Sequence, residues 1–229
     1  MSKLRIEGIS RTFAAVRGGK PVQALQPVDL SVAANDFITI LGPSGCGKST
    51  LLRIVAGLEA PSTGQVLLDG KTVTRPGPDR GMVFQSYTLF PWLTVAENIG
   101  FGLRERGMPE RERNAVVASY VDLVGLKGFE NHWPKQLSMQ ELLLGIWERR
   151  KKTVLFVTHD IEEAIFMASR VIVMSARPGR IKSDVPVDLP HPRHYTLKTS
   201  PEFSALKAQL TEDIRIEAMR TAQGQAAVA

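Results

Sequence analysis

The chain has 229 residues, 43 % of them apolar; this composition argues against a disordered protein, and the length is sufficient for one large α/β domain, or one domain with a small appendage. Its net charge is +6, but the basic residues are scattered along the chain, so we expect no nucleic-acid partner. The single cysteine, Cys46, excludes an internal disulfide framework, and no apolar run reaches the roughly 18 residues that span a bilayer. We therefore expect a cytoplasmic chain without a signal peptide.

The first predicted elements surround a glycine-rich loop. An apolar, β-branched run at residues 36–41 predicts a buried strand that ends at the loop. A helix is predicted after the loop, and Gly57 is placed to end it. The pair Asp69-Gly70 lies between two apolar runs and predicts a hairpin.

The middle of the chain predicts a short strand at 82–84 and then several helices. Thr94 and Glu97 form a capping box, which indicates the start of a helix. Residues 109–124 predict a second helix with one apolar face. That face carries Val116, Val117, Tyr120, Val121 and Val124. A further capping box begins at Ser138 and predicts a helix to about Arg150.

The last third predicts two more strands and a long terminal helix. The run "TVLFVTHD" predicts a strand, residues 160–163 form a third capping box, and "RVIVMS" predicts the next strand. Strands that alternate with helices are typical of a parallel sheet covered on both faces. The chain is Pro-rich beyond Arg177, and Pro201 begins an amphipathic helix. Its apolar side carries Phe203, Leu206, Leu210 and Ile214.

The glycine-rich loop, "LGPSGCGKST", predicts a site for a nucleotide phosphate. It matches GxxxxGK[ST], in which glycines let backbone N–H groups surround an anion at the start of a helix. Lys48 supplies a positive charge to the outer phosphates, and the Ser49 hydroxyl is placed to bind Mg²⁺. The predicted nucleotide-binding residues in the loop are Gly42, Pro43, Ser44, Gly45, Cys46, Gly47, Lys48, Ser49 and Thr50.

Three more residues give the chain a resemblance to the nucleotide-binding subunits of ATP-binding cassette (ABC) transporters. Gln85 at the end of "GMVFQ" resembles the family's glutamine that contacts Mg²⁺ and the attacking water, and His159 in "VLFVTHD" resembles the histidine that senses the γ-phosphate. Phe13 resembles the aromatic residue that stacks on adenine. Taken singly, each is more typical of a surface glutamine, a structural histidine or a core phenylalanine, but their order and context favour the resemblance.

The resemblance implies a P-loop NTPase of the α/β class, with a mainly parallel core sheet and an antiparallel β part near the N-terminus. It implies an ABC-type ATPase domain at residues 1–185 and a Pro-rich segment with a C-terminal helix at 186–229. Two stretches, "SYTLFPWLTVAENI" and "SARPGRIKSDVPVDLPHPR", are most similar to importers of nitrate, sulfonates and taurine. The implied partners are transmembrane permease subunits, a second copy of the chain and an extracytoplasmic solute-binding protein, with ATP and Mg²⁺ as cofactors. The implied location is the inner face of the cell membrane. Trp92 belongs either to the permease-facing surface or to a core.

The chain departs from the family pattern in one place. "PKQLS" resembles the start of the family's LSGGQ signature, but "MQELLLGIWERR", which resembles a later helix, follows at once. The signature glycines, the apolar strand ending in Asp-Glu (Walker B) and the D-loop are therefore missing between Ser138 and Met139. Asp69, Asp122 and Asp160 do not replace the Walker B carboxylates, because their sequence contexts predict a hairpin turn, a helix interior and a helix cap. One inner strand of the sheet is expected to be absent with this block.

Two other functions remain open from the sequence. Phosphoryl transfer to water requires a metal-holding Asp and a carboxylate that orients the water, so the chain could instead be a non-hydrolysing nucleotide-binding or regulatory module, or a defective deletion product. An unrelated P-loop GTPase or kinase is less favoured, because it leaves Gln85, His159 and Phe13 unexplained and no NKxD stretch is present.

Overall fold

The structure, a computed structural model, describes residues 2–15, 19–77, 90–123, 126–133, 144, 147 and 152–226. The predicted strand at 82–84, Gln85 and the junction at 138/139 lie outside these residues. The chain divides into two compact units, residues 1–85 with 152–229 and residues 86–151. No helix in the described ranges is long and apolar enough to cross a membrane. The predicted domain boundary at 185/186 stays a prediction.

Eight strands and five α-helices are described. The strands are β1 (Ser2–Phe13), β2 (Val22–Ala33), β3 (Phe37–Leu41), β4 (Thr63–Leu68), β5 (Lys71–Thr72), β6 (Val154–Val157), β7 (Arg170–Met174) and β8 (Ile181–Pro186). The helices are α1 (Lys48–Val55), α2 (Val95–Glu105), α3 (Glu110–Leu123), α4 (Ile161–Met167) and α5 (Pro201–Ala226), with a 3₁₀ helix at Tyr195–Thr199. The predicted strands and helices that fall within the described residues are confirmed.

The first unit contains two four-stranded sheets. One is antiparallel, with the order β2-β1-β4-β5, and its β4–β5 hairpin turns at Asp69-Gly70, where both residues have positive φ. The other has the order β6-β3-β7-β8, in which β6, β3 and β7 are parallel and β8 is antiparallel. One apolar core joins both sheets to α1. The expected antiparallel part and mainly parallel core sheet are thus confirmed.

Strand β6 lies at one edge of the described part of the second sheet. Among the described strands it pairs only with β3, from Phe37 opposite Val154 to Ile40 opposite Val157. Its residues Val154, Leu155 and Phe156 are only partly buried, whereas all of β3 is buried. The described parallel strands therefore form a continuous sheet, and the apolar surface that is left partly exposed lies on β6.

The second unit is built on two helices. Thr94 and Glu97 make both hydrogen bonds of the predicted capping box at the start of α2. The side chains of Val95, Val117 and Val121 form the small core between α2 and α3. The predicted apolar face of α3 is wrong at Tyr120, which is 50 % exposed, because Val117 and Val121 already fill the contact with α2. Of the helix predicted from Ser138, Leu144 and Trp147 are described, and both are helical and buried.

Candidate nucleotide-binding site

The phosphate loop, residues 42–47, lies between the end of β3 and the start of α1. Gly45 and Gly47 have φ values of 74° and 98°, in the left-handed region that favours glycine. The first helical hydrogen bond runs from Leu51 N to Gly47 O at 2.9 Å. The glycines of the sequence pattern thus provide the turn that opens directly into a helix.

Lys48 points back over this loop. Its Nζ donates hydrogen bonds to the carbonyl oxygens of Gly42 at 2.8 Å and Pro43 at 2.9 Å, and the residue is 8 % exposed. The first turn of α1 contains no acidic residue. The positive end of the helix dipole and the Lys48 ammonium are therefore close together, and no carboxylate of that turn offsets them.

The phosphate loop packs closely against Leu25 of β2 and Met174 of β7. A Cβ on Gly42 would stand 2.8 Å from Cys46 Sγ and 3.0 Å from the carbonyl oxygen of Met174, and one on Gly47 would stand 2.6 Å from Leu25 Cδ2. Cys46 is buried, with Sγ 3.6 Å from Lys48 Nζ. A side chain at Gly42 or Gly47 would therefore require the loop or the side chains that contact it to shift.

The loop fits a nucleotide polyphosphate. Such a ligand is stabilised by backbone N–H groups and positive charge at a helix start, which this arrangement supplies. For Mg²⁺ the described part supplies the Ser49 hydroxyl in the first turn of α1, an oxygen ligand of the kind that this ion accepts. Within the described residues, no group of three or more His, Cys, Asp or Glu side chains could hold a metal.

The sheet brings His159 to the same edge as the phosphate loop. Thr158 N donates to Ile40 O at 3.3 Å, so His159 follows β6 where the loop follows β3. His159 is exposed. Because carboxyl ends of adjacent parallel strands meet at one edge, the two predicted site elements are neighbours.

Phe13 ends β1 and is 37 % exposed rather than part of the core. The guanidinium carbon of Arg11 lies 4.7 Å from the centre of its ring. Phe13 pairs with Val22 of β2, the strand whose Leu25 packs on Gly47 of the loop. The ring is therefore available for stacking, as a base-contacting aromatic residue has to be. Gln85 lies outside the described residues.

The three aspartates whose sequence contexts argued against a Walker B role are Asp69, Asp122 and Asp160, and the structure gives each a place in a turn, a helix or a helix cap. Asp160 caps α4 by accepting a hydrogen bond from Glu163 N at 3.1 Å. The Glu163 side chain does not complete the predicted capping box but hydrogen-bonds to the Thr158 hydroxyl, which also accepts from Asp160 N. Asp69 lies in the hairpin turn and pairs with Lys3. Asp122 lies within α3.

The sequence missed two residues that touch the loop. Arg177 Nε donates to the carbonyl oxygen of Gly45 at 3.2 Å, and Gly179 packs against the carbonyl oxygen of Cys46. Both belong to a turn more than 130 residues along the chain from the loop. The string "RPGR" predicts a turn between two strands, but nothing in it indicates which element the turn contacts.

Comparison with known proteins agrees with this site. The ABC transporter family matches residues 25–149. An uncharacterized ABC transporter ATP-binding protein of Methanocaldococcus jannaschii is 41 % identical, with 96 % of this chain and 94 % of that protein covered. The nitrate import ATP-binding protein NrtD of Synechocystis is 37 % identical, with 93 % and 95 % covered. The aliphatic sulfonates import ATP-binding protein SsuB of Bacillus cereus is 36 % identical, with 90 % and 94 % covered.

The fold agrees with solved structures of the same kind. A dimeric ATP-binding cassette in a post-hydrolysis state, bound to ADP and Pi, is similar with a TM-score of 0.61 and 25 % identity, covering 82 % of this chain and all of that one. Three findings agree: the phosphate loop, the family match across more than half of the chain, and relatives that align over nearly all of both chains. The chain therefore belongs to the ABC transporter family, as an ATP-binding subunit of its ATPase class.

Proposed function

We propose that this chain is the ATP-binding subunit of an importer for a small solute of the nitrate, sulfonate or taurine class. The named relatives that import nitrate and aliphatic sulfonates support this class. The two stretches that resemble such importers, around Trp92 and from Ser175 to Arg193, support it independently of the phosphate loop. In this function the chain lies in the cytoplasm at the inner face of the membrane.

The nucleotide is Mg-ATP, held by residues 42–50. The observation that carries this proposal is the buried Lys48 ammonium over a glycine loop at the start of α1. Lys48 and the loop N–H groups bind the phosphates, Ser49 and Gln85 bind Mg²⁺, and Phe13 stacks on adenine. His159 contacts the γ-phosphate from the end of β6, and Gln85 orients the attacking water.

The proposed partners are permease subunits, a second copy of this chain and an extracytoplasmic solute-binding protein. An aromatic cluster in the second unit suits a permease contact. Phe90 lies 5.6 Å from Trp92 and 4.4 Å from Phe101, measured between ring centres, and Trp92 is 71 % exposed. Asn98 holds this turn through hydrogen bonds to Phe90 and to the carbonyl oxygens of Leu93 and Thr94. A rigid, exposed aromatic residue is typical of a protein contact.

A second function, nucleotide binding without turnover, is supported by a specific observation. The alignment with the Methanocaldococcus jannaschii relative extends over 255 residues, more than the 229 of this chain, so that relative has residues without a counterpart here. The motifs break between Ser138 and Met139, where the signature glycines and the Walker B carboxylates would stand. Loss of a positioned general base alone lowers a rate by about 10²- to 10⁴-fold. We therefore propose that the isolated chain binds ATP but hydrolyses it at or near background.

Two measurements on the same preparation test both parts. A fluorescent ATP analogue is titrated into the starting protein, Lys48→Ala and a control, Lys71→Ala, which removes an exposed lysine in β5. We expect Lys48→Ala alone to lose affinity, and equal affinities for all three would overturn the proposed nucleotide site. Phosphate release is then measured with saturating Mg-ATP. Lys48-dependent turnover at an ordinary rate would contradict the non-hydrolysing function and leave the binding site intact.

A further inference from the structure

The turn at residues 175–180 lies between the phosphate loop and the C-terminal helix. It connects β7 to β8, and it is stiffened by two internal hydrogen bonds, from Ser175 N to Arg180 O at 2.9 Å and from Arg180 N to Ser175 Oγ at 3.2 Å. Gly179 extends it onto β2, donating to Ala24 O and accepting from Gln26 N, both at 2.9 Å. These hydrogen bonds hold the turn in one conformation, so a displacement of one side of the turn would also displace its other side.

One side of the 175–180 turn holds the phosphate loop. Arg177 Nε donates to the Gly45 carbonyl oxygen, and a Cβ built on Gly45 would stand 3.3 Å from an Arg177 terminal nitrogen. Gly179 rests against the Cys46 carbonyl oxygen with no room for a side chain. Two consecutive peptide groups of the loop, those of Gly45 and Cys46, therefore have their carbonyl sides fixed by this turn. Fixing the carbonyl side of a peptide also fixes the direction of the N–H groups that bind phosphate.

The other side of the 175–180 turn is held by a buried carboxylate of α5. Glu217 is 1 % exposed, and its Oε2 accepts a hydrogen bond from Ala176 N at 2.9 Å. Its Oε1 lies 2.8 Å from Arg220 Nη1 and 3.5 Å from Lys182 Nζ. A buried carboxylate with these partners is compensated, and its removal leaves the Ala176 N–H without this acceptor, whereas Lys182 keeps Asp213 at 3.2 Å.

We propose that Glu217 and Arg177 are positioning residues of the phosphate loop. Through them, the C-terminal helix holds the loop in the conformation that binds ATP. Glu217 anchors Ala176, and the adjacent Arg177 holds Gly45. This inference rests on the proposed binding of nucleotide by residues 42–50. The alternative is that these contacts stabilise the fold as a whole and do not change how often the loop opens locally.

Cys46 makes the two alternatives separable. It is the only cysteine of the chain, it lies within the loop, and it is 1 % exposed. Reaction of its thiol with Ellman's reagent therefore requires the loop to open, and the labelling rate in native buffer reports that opening. A change in overall stability that leaves the loop untouched does not change this rate while the protein is far below its melting temperature.

The experiment compares Arg177→Ala and Glu217→Ala with Glu217→Gln, which keeps an acceptor oxygen. Labelling without nucleotide should be about fivefold faster in both alanine variants, the change that loss of one ordinary hydrogen bond makes in a local opening equilibrium. Glu217→Gln should lie between Glu217→Ala and the starting protein. Arg177 is exposed in its contact with Gly45, so its variant tests the proposal even if Glu217→Ala folds poorly.

Matched controls come from the same helix. Arg215 and Glu212 pair with each other on the exposed side of α5, with Arg215 Nε 2.7 Å from Glu212 Oε2. Arg215→Ala and Glu212→Gln should label at the starting rate. Equal rates for Arg177→Ala, Glu217→Ala and these controls would overturn the proposal.

The same assay distinguishes this inference from the proposed nucleotide site. Mg-ATP should slow the labelling of Cys46 in the starting protein but not in Lys48→Ala. If Mg-ATP gives no protection at all, the nucleotide site fails. If protection occurs and the Arg177→Ala and Glu217→Ala rates match the controls, the positioning role alone fails.

Discussion

Gly179 and Cys46 approach so closely that a Cβ at position 179 would stand 1.9 Å from the Cys46 carbonyl oxygen. The contact joins the 175–180 turn to the phosphate loop by backbone alone. Because the obstructing atom belongs to the main chain, it cannot move aside without moving the loop.

Gly179→Ala should therefore displace the loop or destabilise the unit that contains it. We expect a loss of about 1–3 kcal/mol in the free energy of unfolding, as for overpacked sites, together with weaker binding of ATP. Chemical denaturation and titration of a fluorescent ATP analogue measure the two effects. Gly102→Ala is the control, because a Cβ there meets nothing within 4 Å and alanine favours a helix. If the two variants behave alike, close approach at Gly179 does not matter.

Arg193 should make a large contribution to stability. It is 6 % exposed, and its guanidinium donates to the carbonyl oxygens at the end of α4 and in the segment that follows β8. Those acceptors are Ile165, Phe166, Ala168, Val187 and Leu189. Arg193→Ala removes the buried guanidinium that donates to all of these carbonyl groups, so we expect a loss of about 2–4 kcal/mol by denaturant unfolding.

Arg215→Ala serves as the control for Arg193→Ala, because the Arg215 side chain is 57 % exposed. Its effect should stay within about 0.5 kcal/mol, as for ordinary surface substitutions. A loss of similar size in both variants would show that the buried guanidinium does not hold α4 to the C-terminal segment.

The capping box of α2 should give a pH-dependent contribution to stability. The hydrogen bond from Thr94 N to the Glu97 carboxylate, 2.7 Å long, holds the pKa of Glu97 below its ordinary value of 4.5. A carboxyl with a lowered pKa in the folded state stabilises it above the unfolded pKa, and this gain is lost as the pH falls through the folded pKa. The stability difference between the starting protein and Glu97→Gln should therefore be present at pH 7 and vanish in acid below pH 4.5.

Thermal unfolding between pH 3 and pH 7 measures this difference. Glu105→Gln is a matched control, because Glu105 lies at the other end of α2 and pairs with Arg104 rather than Thr94. A pH-independent difference for Glu97→Gln would contradict the capping-box explanation.

The local elements were predictable because each depends on residues close in the sequence. The left-handed turns at Gly45 and Gly47, the hairpin at Asp69-Gly70 and the cap at Thr94 follow from local backbone preferences. The family resemblance implied that His159 lies near the γ-phosphate, and the parallel pairing of β6 with β3 brings it to the same edge of the sheet as the loop.

Long-range polar contacts were not predictable in the same way. Glu217 lies on the apolar side of α5, seven residues after Leu210 and fourteen after Phe203, both fully buried. A carboxylate in that stripe indicates a buried charge that needs partners, but the sequence does not say that one of them is the Ala176 N–H. The hydrogen bond that the Thr158 hydroxyl donates to the Glu163 carboxylate is local but was also not predicted, since the sequence pattern favoured the Asp160 N–H as the partner of Glu163.

His159→Ala should change ATP turnover little in this chain. A γ-phosphate sensor has little to assist when the carboxylates that hold the metal and orient the water are missing, and residues that act as a unit are strongly non-additive. Phosphate release from the starting protein and the variant should both lie near background. A large loss from a substantial starting rate would show that other residues have replaced the missing block.

Restoring the block should restore turnover. We predict that inserting a family-type segment between Ser138 and Met139, from the signature glycines through Walker B to the D-loop, raises phosphate release to about 1 s⁻¹ or more. The same insertion should make thermal unfolding more cooperative, because it supplies an inner strand and lets the partly exposed side chains of β6 become buried. His159→Ala should then be severe, since the histidine has a complete site to assist.

The control for this experiment is the same insertion with its Walker B acidic residues replaced by amides. It should gain the more cooperative unfolding and keep the background rate, because it provides the strand without the carboxylates.

The prediction would be contradicted if the chain without any insertion hydrolysed ATP at about 1 s⁻¹ and lost this activity in Lys48→Ala. A carboxylate already present would then have to bind the metal or the water, and Asp160, exposed beside His159, is the first to test. Asp160→Asn keeps an oxygen for the cap of α4, so a loss of turnover in that variant would assign the missing role to Asp160 itself.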